Sequence, residues 1–223
     1  MSRKAILVSL LVLFLGSYLA VADTVFDTFA VWDGSVYMNP FGHSSNTSTY
    51  GQAITAPLTD SVLKTFTFYM EQDTAIVFRG EVYAWDGAEA TGPNLWESGP
   101  MSTTNPNIFE PIEFDTGGLA LTGGQDYVMF ASVDKDPGSA GGGHWGWMLR
   151  TQTYPGSYST WFDDGDNASL WTTQAWDGTN VFPGSQFAFK ADFGPAGPQV
   201  PEPGTMALLA MGLVGIVAKR RKR

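Results

Sequence analysis

Asp163-Asp164-Gly165-Asp166-Asn167 sets three carboxylates and an amide within five residues around a glycine. Hard divalent cations need several oxygens brought together by a turn, so Asp163, Asp164 and Asp166 are candidate calcium ligands. The run lacks the twelve-residue pattern and closing Glu of an EF-hand, and a solvated acidic turn is the alternative. Asp134 and Asp136 form a weaker candidate of the same kind. A second constellation is Gly141-Gly142-Gly143-His144-Trp145-Gly146-Trp147. Trp145 and Trp147 stand two apart, so on a strand they share a face. On an exposed face their rings would stack against the C–H faces of sugars; on a buried face they are core, where Trp is usually found.

Trp-Asp-Gly occurs at 32–34, 85–87 and 176–178. The spacing is irregular, which excludes a propeller repeat. Each reads as a turn in which Asp caps its own backbone, Gly takes positive φ and Trp packs at the rim of the core.

Signatures of catalysis are sparse. His43 and His144 are the two histidines, and neither a Gly-x-Ser-x-Gly elbow nor a His-Glu-x-x-His helix occurs. Nothing in the pattern singles out a carboxylate pair for glycoside hydrolysis. No glycine-rich phosphate loop precedes a helix. Cysteine is absent, so disulfides and thiolate metal sites are excluded. The expectation is a non-catalytic protein with calcium as the one candidate cofactor.

The elements that must carry these residues read as strands. Val62 to Met70 alternates, with Val62, Phe66, Phe68 and Met70 on one face, which Lys64 interrupts. Further strands are expected at 75–84, 108–114 and 127–133. In the last strand Phe187, Phe189, Ala191 and Phe193 form the apolar face, opposite Gln186, Ala188, Lys190 and Asp192. Asp86-Gly87, Gly92-Pro93, Gly117-Gly118, Gly123-Gly124 and Asp177-Gly178 punctuate the runs. Many short strands with Gly and Pro turns imply an all-β fold, a jelly-roll-like β-sandwich, over 23–193.

Charge is segregated. Residues 23–199 hold five basic side chains against 21 acidic ones, a net −16. Such a body repels nucleic acid and anionic lipid and attracts divalent cations. The basic residues gather outside it. Arg3 and Lys4 precede an apolar run from Ala5 to Leu15, and Ala20-Val21-Ala22 offers a small–x–small cleavage pattern. Residues 1–22 therefore read as a signal peptide cut by signal peptidase after Ala22, with Ala20 and Ala22 in its small subsites.

Residues 194–199 read as an extended linker. Val200-Pro201-Glu202-Pro203-Gly204 then refuses helix, Thr205 to Ala218 is apolar or small throughout, and Lys219, Arg220, Arg221, Lys222 and Arg223 are all basic. Fourteen helical residues span about 21 Å against roughly 30 Å of hydrocarbon, a marginal transmembrane helix whose basic end stays cytoplasmic.

This tripartite order closely resembles the PEP-CTERM sorting signal of Gram-negative bacteria. The resemblance rests on Val200, Pro201, Glu202 and Pro203, the apolar run and the basic end. It implies recognition by an exosortase, a membrane-embedded transpeptidase, with processing near Pro-Glu-Pro and delivery to the cell surface or exopolysaccharide layer. A plain tail anchor is the rival. The body resembles the β-sandwich domains that often precede this signal, through Leu63-Lys64-Thr65-Phe66-Thr67-Phe68, Tyr83-Ala84-Trp85-Asp86-Gly87 and Leu121-Thr122-Gly123-Gly124-Gln125-Asp126-Tyr127-Val128. The implied role is a structural or adhesive matrix component. The alternatives are a carbohydrate-binding module holding polysaccharide and a secreted glycan hydrolase.

Overall fold

Period-two alternation builds the interior of a computed structural model that describes residues 23–43, 47–72, 76–136, 142–148, 154–163, 167–178 and 184–195, with backbone alone at 72, 147 and 148. Its strands are β1 (Thr24–Asp27), β2 (Tyr37–Phe41), β3 (Thr49–Thr55), β4 (Val62–Gln72), β5 (Arg79–Trp85) and β6 (Ala90–Glu97). They continue as β7 (Glu110–Ala120), β8 (Asp126–Ser132), β9 (Gly143–Met148), β10 (Tyr158–Phe162), β11 (Gln186–Phe187) and β12 (Phe189–Gly194). The first sheet runs β1-β12-β4-β9-β11, with β7 on the other side of β4 and β2 on β9. The second runs β10-β3-β8-β5-β6. The pairings between these strands are antiparallel.

Setting aside β2, β9, β10 and β11 leaves two four-stranded sheets, β1-β12-β4-β7 and β3-β8-β5-β6, which the chain enters alternately except at the β5–β6 hairpin. That is the jelly-roll path expected from the sequence. Two stretches are added to it: 28–41 between β1 and β3, and 133–185 between β8 and the β11–β12 strand.

The two sheets close on an aromatic core. Phe66, Phe68 and Met70 of β4, Phe114 of β7, and Phe187, Phe189 and Phe193 face Tyr50, Val82, Met129 and Ala131 of the second sheet. Each buried Phe, Met or Val among them contributes about 1.5–3 kcal/mol by leaving water. The expected face of the last strand is met, since Phe187, Phe189, Ala191 and Phe193 are all fully buried. Gln186 and Ala188 on the opposite side are buried as well: the turn before β10 packs over Gln186, whose Nε2 donates to the carbonyl of Ser157 at 3.3 Å, and Ala188 lies beside Gly146 where the Trp32 ring packs.

One register differs from the sequence reading. Leu63, not Val62, fills the core at the start of β4, and Lys64 points to solvent. Lys64 is an extra residue against β12, where Leu63 and Thr65 pair with the consecutive residues Phe193 and Asp192; on the other side β7 bulges in turn, with Thr116, Gly117 and Gly118 between the partners of Thr65 and Leu63. This bulge resets the alternation. The Thr116 hydroxyl holds it, lying within hydrogen-bonding distance of the carbonyls of Leu63 and Lys64. Lys64 Nζ then reaches Asp23 Oδ2 at 2.7 Å.

A second apolar cluster lies on the far side of the second sheet. Tyr83 and Trp85 of β5, Val128 and Phe130 of β8 and Phe162 of β10 pack against Trp171 and Trp176. These two tryptophans come from residues 167–178. Asn167 starts that segment by capping a 3₁₀ turn at Ala168–Leu170. Backbone bonds tie it to the β5–β6 turn, with Trp176 N–H donating to Ala88 O at 2.8 Å and Ala90 N–H to Trp171 O at 3.2 Å. Strands β3, β8 and β5 of the second sheet are thus buried on both faces, while β6 at the edge stays largely exposed. Gly194 belongs to β12 rather than to the expected linker.

Candidate functional site

Trp145 falls inside the main core. Its ring is fully buried between Phe41, Tyr50, Phe68 and Phe187, at centroid distances of 4.5–5.5 Å. Of the two alternatives for Trp145, the sugar-stacking candidate is therefore corrected and the core reading holds. β9 is interleaved between β2 and β4, and Trp145 faces the sandwich interior. The side chain of Trp147 lies outside the described residues. Asp163 is exposed, whereas Asp164 and Asp166 lie outside the described residues. Among the described residues no group of three or more His, Cys, Asp or Glu is placed to hold a metal ion.

The opposite side of β9 presents His144 and Gly146 outward, and an aromatic cluster is assembled there. The Trp32 ring lies against Gly146: a Cβ on that glycine would come within 2.8 Å of Trp32 Cζ2. Trp32 also meets Tyr69 of β4 at 5.6 Å and Phe109 at 5.1 Å. Tyr37 of β2 meets Phe109 at 6.1 Å and His144 at 4.7 Å. Phe29 packs on Tyr69 at 4.3 Å.

Local structure holds this cluster. Residues Phe29–Val31 form a 3₁₀ turn, and the Thr28 hydroxyl anchors its start to β12 by accepting from Phe189 N–H at 2.8 Å. Asp33 Oδ1 accepts from the N–H groups of Ser35 and Val36 at 2.9 and 3.2 Å. Those donors hold the Asp33 carboxyl below the usual carboxylate range. Gly34 follows at φ +76°, and Trp32 Nε1 donates to Val36 O at 2.8 Å.

Much of this cluster stays wet. Tyr37 is 47% exposed, and its sequence neighbours Val36 and Val31 are 39% and 57% exposed. Ile108, beside Phe109, is 59% exposed. Four of the seven exposed large hydrophobic side chains among the described residues thus sit in the two segments that bring Trp32 and Phe109 to the sheet. Apolar side chains clustered at the surface mark interaction sites more often than isolated ones do.

The rest of the same face is polar, in rows set by register. Thr67 of β4 lies between Glu113 of β7 and Lys190 of β12, and Thr65 between Asp115 and Asp192. Lys190 Nζ binds Asp192 Oδ2 at 2.7 Å. Its ammonium is pushed up by that bond and by the charges of Asp192, Asp27 and Glu113. Beyond the aromatics, His144 Nδ1 lies 3.3 Å from Glu71 Oε1.

The strongest electrostatic cluster lies elsewhere, at the edge of the second sheet. Lys135 Nζ contacts Glu81 at 2.8 Å and Glu97 at 2.6 Å. Arg79 bonds Glu97 at 3.0 Å and grips both oxygens of Asp136 at 2.9 and 3.1 Å. Burial pushes the Glu81 carboxyl up to about 7 against the pull of Lys135. Burial acts in the same direction on Glu97, but Lys135 and Arg79 outweigh it and hold that carboxyl low. One carboxyl raised beside one lowered is the electrostatic pattern of a glycosidase pair. The geometry defeats that reading: the Glu81 side chain is 1% exposed and both carboxylates are committed to Lys135. The cluster clamps the 134–136 turn to β5 and β6. From the same turn, Asp134 Oδ2 accepts from Trp171 Nε1 at 2.9 Å.

Sequence reasoning therefore missed Tyr37, Tyr69 and Phe109 and gave Trp32 no more than a turn. The available signal was the crowding of Phe29, Trp32 and Tyr37 into nine residues that form no long strand.

Comparison with known proteins agrees with the sequence reading of the tail. Residues 199–222 match the PEP-CTERM protein-sorting motif. The motif marks an exported protein with a membrane-anchored sorting step and processing by an exosortase. Residues 200–223, like 1–22, lie outside the described residues. Among those described no helix is long and apolar enough to cross a membrane. No curated protein matches the chain. Two solved structures are similar. One holds the cysteine protease and lectin-like domains of a surface-layer-associated protein of Clostridium difficile. It is 11% identical, with TM-score 0.43, covering 68% of this chain and 33% of that one. The other is a clostridial cysteine protease after propeptide cleavage. It is 12% identical, with TM-score 0.49, covering 78% of this chain and 40% of that one. The chain thus spans two fifths or less of the length of either.

Proposed function

We propose that the chain is a non-catalytic structural or adhesive protein of the cell surface or exopolysaccharide layer. On this reading signal peptidase releases the body at Asp23, and an exosortase processes the chain at Val200-Pro201-Glu202-Pro203. The apolar run 205–218 holds it transiently in the inner membrane, with Lys219 to Arg223 inside. The observation that carries this reading is the sorting motif at 199–222. The jelly roll supports it, because its interior and one outer face are filled with aromatic side chains. What remains to meet a partner is the outer face of the first sheet. Its aromatic cluster is the observation that favours the carbohydrate-binding alternative.

The tail gives the test. Glu202→Ala leaves the apolar run and the basic end intact, so a simple anchor is indifferent to it. A processing enzyme that reads the motif is not. The variant is expected to accumulate unprocessed in the inner membrane of a host that carries an exosortase, with less reaching the surface. Fractionation of tagged protein reads this out, with a host lacking exosortase as control. If parent and variant are processed alike, recognition of the motif is wrong. If the parent keeps residues 205–223 in both hosts, the tail-anchor reading wins.

A further inference from the structure

The outer face of the first sheet combines two chemistries: wet aromatic rings and rows of carboxylates with threonines. We infer that this face binds a neutral polysaccharide, with Trp32, Tyr37 and Phe109 as the apolar contacts and the carboxylates of Glu113, Asp115 and Asp192, together with Thr65, as hydrogen-bond acceptors. The inference rests on the surface-matrix reading above and names the ligand class of that protein's open face.

The chemistry selects the occupant. A pyranose ring carries C–H groups on its faces and hydroxyls on its rim. The faces are apolar and slightly positive, so they pack on the negative faces of aromatic rings. The hydroxyls need acceptors, and an ionised carboxylate is acceptor-only, with room for several donors. The face supplies both in one strip. Along β4 the rows from Thr65 to Glu71 extend about 20 Å, enough for an oligosaccharide stretch rather than one sugar.

Charge removes the other occupants. Residues 23–199 carry a net −16, and four of those acids, Asp27, Glu113, Asp115 and Asp192, gather on this face around Lys190, which is already bound to Asp192. Anionic polysaccharide, nucleic acid and anionic lipid are all repelled. A second copy would bring the same acids against each other. An uncharged polymer rich in hydroxyls meets no such penalty.

The cluster is also built to persist without ligand. The Trp32 indole is fixed by its bond to Val36 O and by the Gly146 surface beneath it. A ring already held loses little freedom on binding, which favours affinity.

The test uses full-length protein in a detergent without a sugar headgroup. The probes are hydroxyethyl cellulose and galactomannan as neutral polymers, and alginate as the anionic one. Retardation in gels containing each polymer reads binding. Parent protein should bind at least one neutral polymer and not alginate. Tyr37→Ala and Trp32→Ala should each weaken binding about tenfold or more, as central aromatic anchors do. Leu58→Ser, at an exposed site elsewhere, should bind like the parent. Unchanged thermal unfolding of Tyr37→Ala separates lost contact from lost fold. Sedimentation of parent and Tyr37→Ala asks whether the face instead joins two copies.

No retardation by either neutral polymer, undiminished binding by the Trp32→Ala/Tyr37→Ala double variant, stronger binding to alginate, or a Tyr37-dependent dimer would each overturn the inference. Failure here leaves the sorting reading standing if the parent is still processed. Failure of processing with intact glycan binding sinks sorting alone.

Discussion

The two outer faces of this sandwich began with similar material and ended differently. Both are flanked by Trp-Asp-Gly turns. On the second sheet, Trp85 and Trp176 are sealed into an apolar cluster with Phe130, at centroid distances of 5.1–5.4 Å between neighbours. On the first sheet, Trp32 sits in a cluster open to water on the Tyr37 side. The cause is the route of the 133–185 insertion. Its later part, 167–178, folds back across the second sheet and carries Trp171 and Trp176 with it. Its earlier part, β9, widens the first sheet without covering it. A face is closed when the chain returns over it, and the same tripeptide serves in both settings.

That contrast can be broken most sharply in the closed cluster. Trp176→Ala should cost about 3–5 kcal/mol, the usual range for removing a buried aromatic that leaves a cavity. Chemical denaturation reads it. A loss below about 1 kcal/mol would mean that residues 167–178 lie loosely on the second sheet.

A smaller effect follows from the clamp that holds the 134–136 turn beside that cluster. Glu81 is pushed from its ordinary 4.5 to about 7 in the folded chain. The native state then holds a proton between those values that the unfolded chain has released. Stability contributed by the protonated carboxyl is fully present below about pH 4.5 and is lost as pH rises towards 7. The expected decline across this window is on the order of 1–3 kcal/mol. Glu81→Gln should flatten it, because the amide does not titrate. Denaturation midpoints at pH 5 and pH 7.5 check this; an equal slope in the variant would assign the decline to other groups.

The open face should show the smallest stability effects. Tyr37→Ala removes a side chain that is nearly half exposed, so the loss should stay within about 1 kcal/mol. A loss as large as that of Trp176→Ala would show that the ring is structural and that the two faces differ less than their exposure suggests.

Particular residues show how far local pattern reaches. Phe66, Phe68 and Met70, and again Phe187, Phe189, Ala191 and Phe193, follow simple alternation and lie where it puts them. Asp33 and Asp86 cap their own turns as Asp-Gly chemistry requires, each accepting two backbone N–H groups within three residues. Strand β3, Thr49-Tyr50-Gly51-Gln52-Ala53-Ile54-Thr55, was not legible. It is central, and it buries Gln52, whose Oε1 accepts from Phe187 N–H at 2.9 Å. Gln52 keeps its buried place through partners 135 and 105 residues away, Phe187 N–H and the Ser157 hydroxyl, and no periodicity announces them. Local pattern leaves Trp145 open between sugar platform and core for a related reason: two tryptophans at strand spacing define a face but not which way that face turns.

The sequence by itself determined the all-β class, the turns and the sorting motif, because each depends on neighbours within a few residues or on a short peptide read by an enzyme. Tertiary structure alone decided that Lys64 is a bulge, that Glu81 is sealed beside Lys135, and that Trp176 is buried while Tyr37 remains in water. Those outcomes depend on which distant segment covers which side of a sheet, and burial is a property of the whole packed chain rather than of any window of it.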